Sequence, residues 1–163
     1  MARRKFSTRR EKPEYEQKLL DLARVTRVVK GGRRFRFRAV LVIGNRNGKV
    51  GVGVAKGNDV SEAVRKAFNA GKKNLVQVKR YNSTIGCGVE AKAGSAKVML
   101  KPAKAGRGIV AGGAVRSIVE LAGIRDIVSK SMGSANKLSV ARATLKALEQ
   151  VKVLSGRQSN KEQ

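Results

Sequence analysis

The sequence predicts an α+β chain made of two small units in series. Three observations carry this. Apolar stretches between residues 25 and 56 alternate with charged or glycine positions and are broken by glycine-rich turns, the period of strands. Val60, Ala63, Val64, Ala67 and Phe68 then recur at helical spacing. After residue 78 a second series of strand and helix signals begins.

The elements follow in order. Residues 1–13 read as a basic arm, with Arg3, Arg4, Lys5, Arg9, Arg10 and Lys12 against Glu11, expected to order only on a polyanion. Residues 14–78 read as the first unit. Its locally acidic start (Glu14, Glu16, Asp21) reads as a solvated lead-in. Three strands follow, Val25 to Gly32, Arg33 to Ile43 and Lys49 to Lys56. Gly31-Gly32 makes the first turn, and Gly44-Asn45-Arg46-Asn47-Gly48 makes the second on its Asn-Gly pair. Val40 to Ile43 is apolar throughout, so that end is expected to be covered on both faces. Val50, Val52 and Val54 share one face of the third strand. Gly51 and Gly53 leave a bare strip on the other, open to a second domain or to RNA. Asp59 caps the helix, with Glu62 in the reciprocal capping position.

Residues 79–151 read as the second unit. Thr84 to Ala91 and Ser95 to Lys101 suggest a hairpin. Val115, Ile118, Val119 and Ala122 mark a helix closed by Gly123. Ile124 to Met132 suggests a strand, and Lys137 to Val151 a last helix capped from Ser134-Ala135-Asn136. Residues 152–163 read as a polar tail.

Charge is the strongest chemical signal. The chain carries 37 Lys and Arg against 11 Asp and Glu, a formal +26. Between Arg24 and Asn58 stand ten Lys or Arg (Arg24, Arg27, Lys30, Arg33, Arg34, Arg36, Arg38, Arg46, Lys49, Lys56) and no acid. Strand alternation puts Arg34, Arg36 and Arg38 on one face and Phe35, Phe37 and Ala39 on a core face. A guanidinium row without acidic partners repels itself unless a polyanion lies across it, and nucleic acid is the expected one. Ten phosphate contacts would give a log–log salt slope of roughly −7 to −9. Aromatics are 4% and Trp is absent, which argues against a platform of stacked bases.

Other chemistries find little support. There is no His, and Cys87 is the single cysteine, so an intrachain disulfide, a cysteine-built zinc site and imidazole catalysis are out. Gly106-Arg107-Gly108 to Gly112-Gly113 misses both the P-loop and the dinucleotide spacing. It reads as a glycine connection packing a helix tightly, with a phosphate contact at the helix start as the functional alternative. Glu62, Glu90, Glu120, Asp126, Glu149 and Glu162 are scattered, and Asp126 beside Arg125 suggests surface pairing. No enzyme and no cofactor are expected. No apolar run approaches the ~18 residues of a membrane span.

Three blocks of residues resemble the ribosomal protein S five family, the fifth protein of the bacterial small subunit. They are Val29-Lys30-Gly31-Gly32-Arg33-Arg34-Phe35 through Gly44 to Lys56, Lys101-Pro102-Ala103 through Gly106 to Arg116, and Leu121 to Ile127 with Lys130 to Asn136 and Arg142-Ala143-Thr144. The resemblance spans about residues 14–151. It implies an N-terminal domain like double-stranded-RNA-binding modules, a three-stranded antiparallel sheet plus helix. It also implies a C-terminal α/β sandwich with a left-handed β-α-β crossover.

The implied partners are small-subunit ribosomal RNA, ribosomal proteins S four and S eight, and messenger RNA nearby. No membrane, small-molecule substrate or enzymatic site is implied, and the implied location is the cytoplasmic ribosome. Thr26 to Gly32 matches the loop near the spectinomycin site. Gly44 to Lys49, with Arg46, Asn47 and Lys49, matches a loop reaching neck RNA. Gly106, Gly108 and Arg116 match the region of the S four contact and of decoding accuracy. Arg107 stands where the family usually has Thr, adding a cation that strengthens an RNA contact there or disturbs a protein contact, and the family usually has a His-Pro pair near Cys87-Gly88. The sequence thus reads as a structural RNA-binding protein, with a free RNA chaperone or processing factor, and then a metal-dependent nuclease, as alternatives.

Overall fold

The computed structural model describes residues 14–151. The arm at 1–13, with Arg3, Arg4, Arg9 and Arg10, and the tail at 152–163 lie outside the described residues. Along the chain come β1 (Glu16–Val29), β2 (Gly32–Gly44), β3 (Lys49–Gly57), α1 (Val60–Lys73), β4 (Leu75–Gln77), β5 (Val89–Ala93), β6 (Ala96–Pro102), β7 (Ile109–Val110), α2 (Gly113–Ala122), β8 (Ile127–Gly133) and α3 (Lys137–Gln150). β1 to β4 make one antiparallel sheet in chain order. The second sheet runs β5-β6-β8-β7, with β7 parallel to β8 and α2 between them in a β-α-β crossover.

The first sheet has four strands, not three, because β4 pairs with β3 from Lys49↔Gln77 to Gly51↔Leu75. The acidic start is not a lead-in either. From Glu16 onward it is strand, paired with β2 back to Gly44 across a bulge between Leu19 and Asp21. The reason lies in β2, whose residues Ala39 to Gly44 are buried. Buried backbone groups need partners on both edges, and β3 serves only one.

At this end the sheet is covered on both faces, as the apolar run predicts. Ala39 and Leu41, with half-buried Phe37, pack with Ala63, Ala67 and Phe68 of α1. Val40, Val42, Val50 and Val52 join a second cluster that continues into the other unit through Val98, Leu100, Ile118, Ile127 and Leu148. Each such side chain, fully buried, stabilises by about 1.5–3 kcal/mol.

The bare strip of β3 is taken by the unit's own helix rather than by RNA or a second domain. A Cβ on Gly51 would stand 2.7 Å from the Gly71 carbonyl oxygen, and one on Gly53 would overlap the carbonyl of Ala67. Helix α1 therefore rests on backbone. Its cap departs slightly from the expected box: Asp59 accepts from the Ser61 N–H, while Glu62 accepts at 2.8 Å from the N–H of Asn58, one residue earlier. Gly123 closes α2 at φ 80°, and Asn136 caps α3 through the Leu138 N–H at 3.1 Å. In the second unit β5 starts at Val89, not Thr84, and β8 at Ile127, not Ile124. Thr84 instead forms an isolated bridge with Tyr81.

Candidate nucleic-acid interface

Pairing of β2 with β3 stops at Phe37↔Gly57. Beyond it β1 and β2 run on alone as a two-stranded ribbon to Val29↔Gly32, turning at Lys30-Gly31. Arg24, Arg27, Lys30, Arg33, Arg34 and Arg36 are all exposed there, and the ribbon contains no acid. The register sets Arg27 opposite Arg34, Val25 opposite Arg36 and Ala23 opposite Arg38, with Lys56 across from Arg38 on β3. The predicted row exists, and Arg27 and Lys56 lengthen it. Like charges placed directly opposite destabilise a strand pair.

Two parts of the expectation need correction. A core behind the row begins only at Phe37, because α1 covers only the part of the sheet that β3 reaches. Phe35, on the ribbon, is 46% exposed, with the Arg24 guanidinium 3.7 Å above its ring. Nor is the whole row without acidic partners. Arg38 lies 3.5 Å from Asp21, which also takes Lys137 at 3.1 Å, and Arg46 pairs with Glu16 at 2.7 Å. The acids of the supposed lead-in are the counter-charges. Among the described residues Arg27, Arg34 and Arg36 have no carboxylate partner.

The turn between β2 and β3 is built differently from a simple Asn-Gly hairpin. Arg46 is left-handed at φ 54° and Gly48 at φ 92°. The Asn45 carboxamide oxygen accepts from the N–H groups of Asn47 (2.8 Å) and Lys49 (3.0 Å). The tip docks on the second unit. Arg46 N–H donates to the Leu121 carbonyl (2.9 Å) and Gly48 N–H to that of Ala122 (3.1 Å). These are open carbonyls of the last turn of α2, which need donors. Arg80, not singled out from sequence, clasps the junction. It donates to the Arg46 carbonyl (3.4 Å), the Gly123 carbonyl (3.2 Å) and Asn47 Oδ1 (2.8 Å). Arg46 and Asn47 thus hold internal partners, while Lys49 and Lys56 are exposed.

The glycine loop before α2 also differs from its reading. A Cβ on Gly106, Gly108, Gly112 or Gly113 would meet nothing within 4 Å, so these glycines do not pack the helix tightly. Gly106 and Gly108 serve the turn instead, at φ 88° and 77°. Asp126 holds that turn: it is buried, 5% exposed, and accepts from the Gly108 N–H at 2.8 Å. It is not a surface partner of Arg125. Hydrogen bonds from the Gly108 N–H, then the Ser83 hydroxyl and the Gly106 N–H, hold its carboxyl below the usual range against the opposing effect of burial. Arg107 stays exposed at the loop tip, and Arg116 reaches the Ile109 carbonyl at 3.3 Å. No signal of period or spacing could have found Asp126 or Arg80, since their partners lie 18 and 43 residues away.

Among the described residues no three His, Cys, Asp or Glu side chains gather where a metal could be held. Several acids are in ion pairs: Glu62 with Lys66 and Glu90 with Lys97, both at 2.6 Å, and Glu120 with Lys18 at 2.8 Å. No described helix is long and apolar enough to cross a membrane.

Comparison with known proteins identifies the family. Residues 15–79 match the family model "Ribosomal protein S5, N-terminal domain", and residues 91–160 match "Ribosomal protein S5, C-terminal domain". Small ribosomal subunit protein uS5 of Campylobacter jejuni, in strains 81-176 and 81116, is 53% identical over 139 residues, covering 85% of this chain and 95% of the relative. Proteins of this family are structural components of the small ribosomal subunit, not enzymes. With both domain models matched in order and a relative covered almost end to end, the chain belongs to the ribosomal protein S5 family.

Proposed function

We propose that this protein binds small-subunit ribosomal RNA, shapes the neck and the side where messenger RNA enters, and influences translational accuracy. One observation carries the reading. A two-stranded ribbon extends past the core with Arg27 set against Arg34, Arg36 beside them, and no carboxylate to neutralise them among the described residues. Phosphates laid along that face would remove the repulsion, and such contacts position a protein without reading sequence. Exposed Lys56 continues the same face beside Arg38, and exposed Lys30, Arg33, Lys49 and Arg107 add further cations. Arg38, Arg46 and Asn47 act one step back, holding the ribbon base and the loop. Gly106, Gly108 and Arg116 face ribosomal protein S four, with S eight as the other protein contact. The setting is the cytoplasmic ribosome.

Hydroxyl-radical footprinting of the assembled small subunit, with cleavage directed from Lys30→Cys in a Cys87→Ser background, tests the reading. Cuts in neck RNA are expected. Cuts confined to other regions would overturn it. Co-sedimentation with the small subunit through high salt is expected as well, whereas release to the light fractions would favour a free chaperone.

A further inference from the structure

Helix α1 packs on β2 and β3 but leaves the same face of β1 uncovered. Leu22, which the register sets opposite Ala39, is 41% exposed, although Ala39 itself packs with the helix. Between α1 and the start of β1 lies a groove of about 690 Å³, with Tyr15, Ser61, Val64, Arg65 and Phe68 in its lining. The four helical residues have the spacing of one helix side, so the groove runs along α1. It lies on the other face of the sheet from the arginine row. Arg34 and Arg36 share their face with Val40 and Val42, which pack toward the second unit, whereas Phe37 and Leu41 pack with α1. A polyanion along the row would leave this groove open.

The groove has an apolar wall and a basic edge. The Lys72 ammonium stands 5.2 Å from the Phe68 ring and 5.5 Å from the Tyr15 ring, so one cation is held against both aromatic residues. Arg65 is exposed. Neither cation pairs with a carboxylate among the described residues. The nearby acids are largely engaged: Glu16 with Arg46, Glu62 with Lys66, and Asp59 at the helix start. That leaves exposed Glu14 alone against the two cations. An apolar wall cannot solvate a phosphate, but it accepts an aliphatic or aromatic side chain. Cations at its edge can then answer carboxylates on either side of that anchor.

We propose that this groove docks an acidic peptide segment of a protein partner. One large apolar side chain sits among Tyr15, Val64 and Phe68, with flanking carboxylates on Arg65 and Lys72. Apolar anchoring along a helix-lined groove is a recurrent way of taking up peptides. The docking stands whether or not the ribbon meets RNA.

Fluorescence anisotropy with the full chain tests it. The probes are a labelled peptide, Gly-Glu-Asp-Phe-Glu-Asp-Gly, and a twin with Ser in place of Phe. The Phe peptide should bind at least about fivefold tighter, since charge alone would hold both equally. Tyr15→Ala should abolish that preference. Arg65→Gln combined with Lys72→Gln should weaken the Phe peptide about threefold or more. Lys92→Gln combined with Lys146→Gln removes two exposed cations outside the groove and should change it less than about twofold. None of the substituted side chains belongs to the two core clusters, so thermal melting should not move. Tyr15→p-benzoylphenylalanine, irradiated with the Phe peptide, should crosslink to it.

Equal binding of the two peptides, equal losses from the two pairs of substitutions, or no crosslink to the peptide would overturn the proposal. So would a labelled oligouridine strand that loses affinity in Tyr15→Ala, which would make the groove an RNA site. Irradiated without peptide, the crosslinking protein has two telling outcomes. Crosslinks to residues 1–8 would assign the groove to the chain's own arm, and a product of dimer mass would assign it to a second copy. Either would overturn the docking of a partner.

Discussion

The N–H of Arg46 donates to the carbonyl of Leu121 at 2.9 Å, tying a hairpin tip of the first sheet to the last turn of α2 in the second unit. The contact is close enough that Gly123 has no room for a side chain. A Cβ there would overlap the Arg46 carbonyl, and φ is 80° besides. Gly123→Ala should therefore lose about 2–4 kcal/mol, combining overpacking with left-handed strain. Urea unfolding checks this. An unchanged midpoint would mean that the junction yields without cost.

The ribbon makes a prediction about charge. Changing Arg27, Arg34 and Arg36 together to Gln should reduce the salt slope of duplex RNA binding by roughly 2 to 3 units, about 0.9 per lost phosphate contact. The free protein should melt no lower, because the substitution relieves repulsion between Arg27 and Arg34. Including Arg38 would confuse the result, since its partner Asp21 would be left behind. A slope equal to that of the unaltered protein would show that these side chains do not meet phosphate.

Helix α1 can be tested by a pair of glycine substitutions. Gly53→Ala would press a methyl group into the Ala67 carbonyl, with Gly71 N at 2.5 Å. Backbone cannot swing aside as a side chain can, so a loss of about 1–3 kcal/mol or more is expected. Gly31→Ala meets nothing within 4 Å. Its effect should stay within about 0.5 kcal/mol, as for other surface changes. Equal effects in thermal melting would show that the bare strip is not what seats the helix.

Asp126 predicts a pH dependence. Its folded carboxyl titrates below the unfolded value, held down first by the Gly108 N–H. The ionised form therefore stabilises the fold above the unfolded pKa of about 3.9. That contribution disappears as pH falls through the folded value. Asp59, through the Ser61 hydroxyl, and Glu62, through Lys66, shift in the same direction and add to the loss. Asp126→Asn should be less stable than the unaltered protein at neutral pH, and the gap should close as pH falls through the folded value of Asp126. A constant gap in urea midpoints across that range would show that ionisation of Asp126 plays no part.

Much of this fold was readable because its signals are local. Strand alternation located Arg34, Arg36 and Arg38 on one face, and helical spacing located the buried side of α1. Capping chemistry marked Asp59, Gly123 and Asn136, each of which bonds within a few residues. The misreadings share one cause. Glu16 and Asp21 read as solvated because no neighbour in sequence called for them, yet β2 needs a strand on its second edge and brings them there. Asp126 read as exposed because its partners come from a loop 18 residues earlier.

The one-dimensional pattern alone determined that this chain is a cation-rich α+β protein with an unneutralised basic strand pair, because charge and residue period need no distant contact to be expressed. Tertiary structure decided which cations are spent and which are free. Asp21 reaches Lys137 and Arg80 reaches Gly123 only once two sheets share a core, and separations of 116 and 43 residues leave no trace in local spacing.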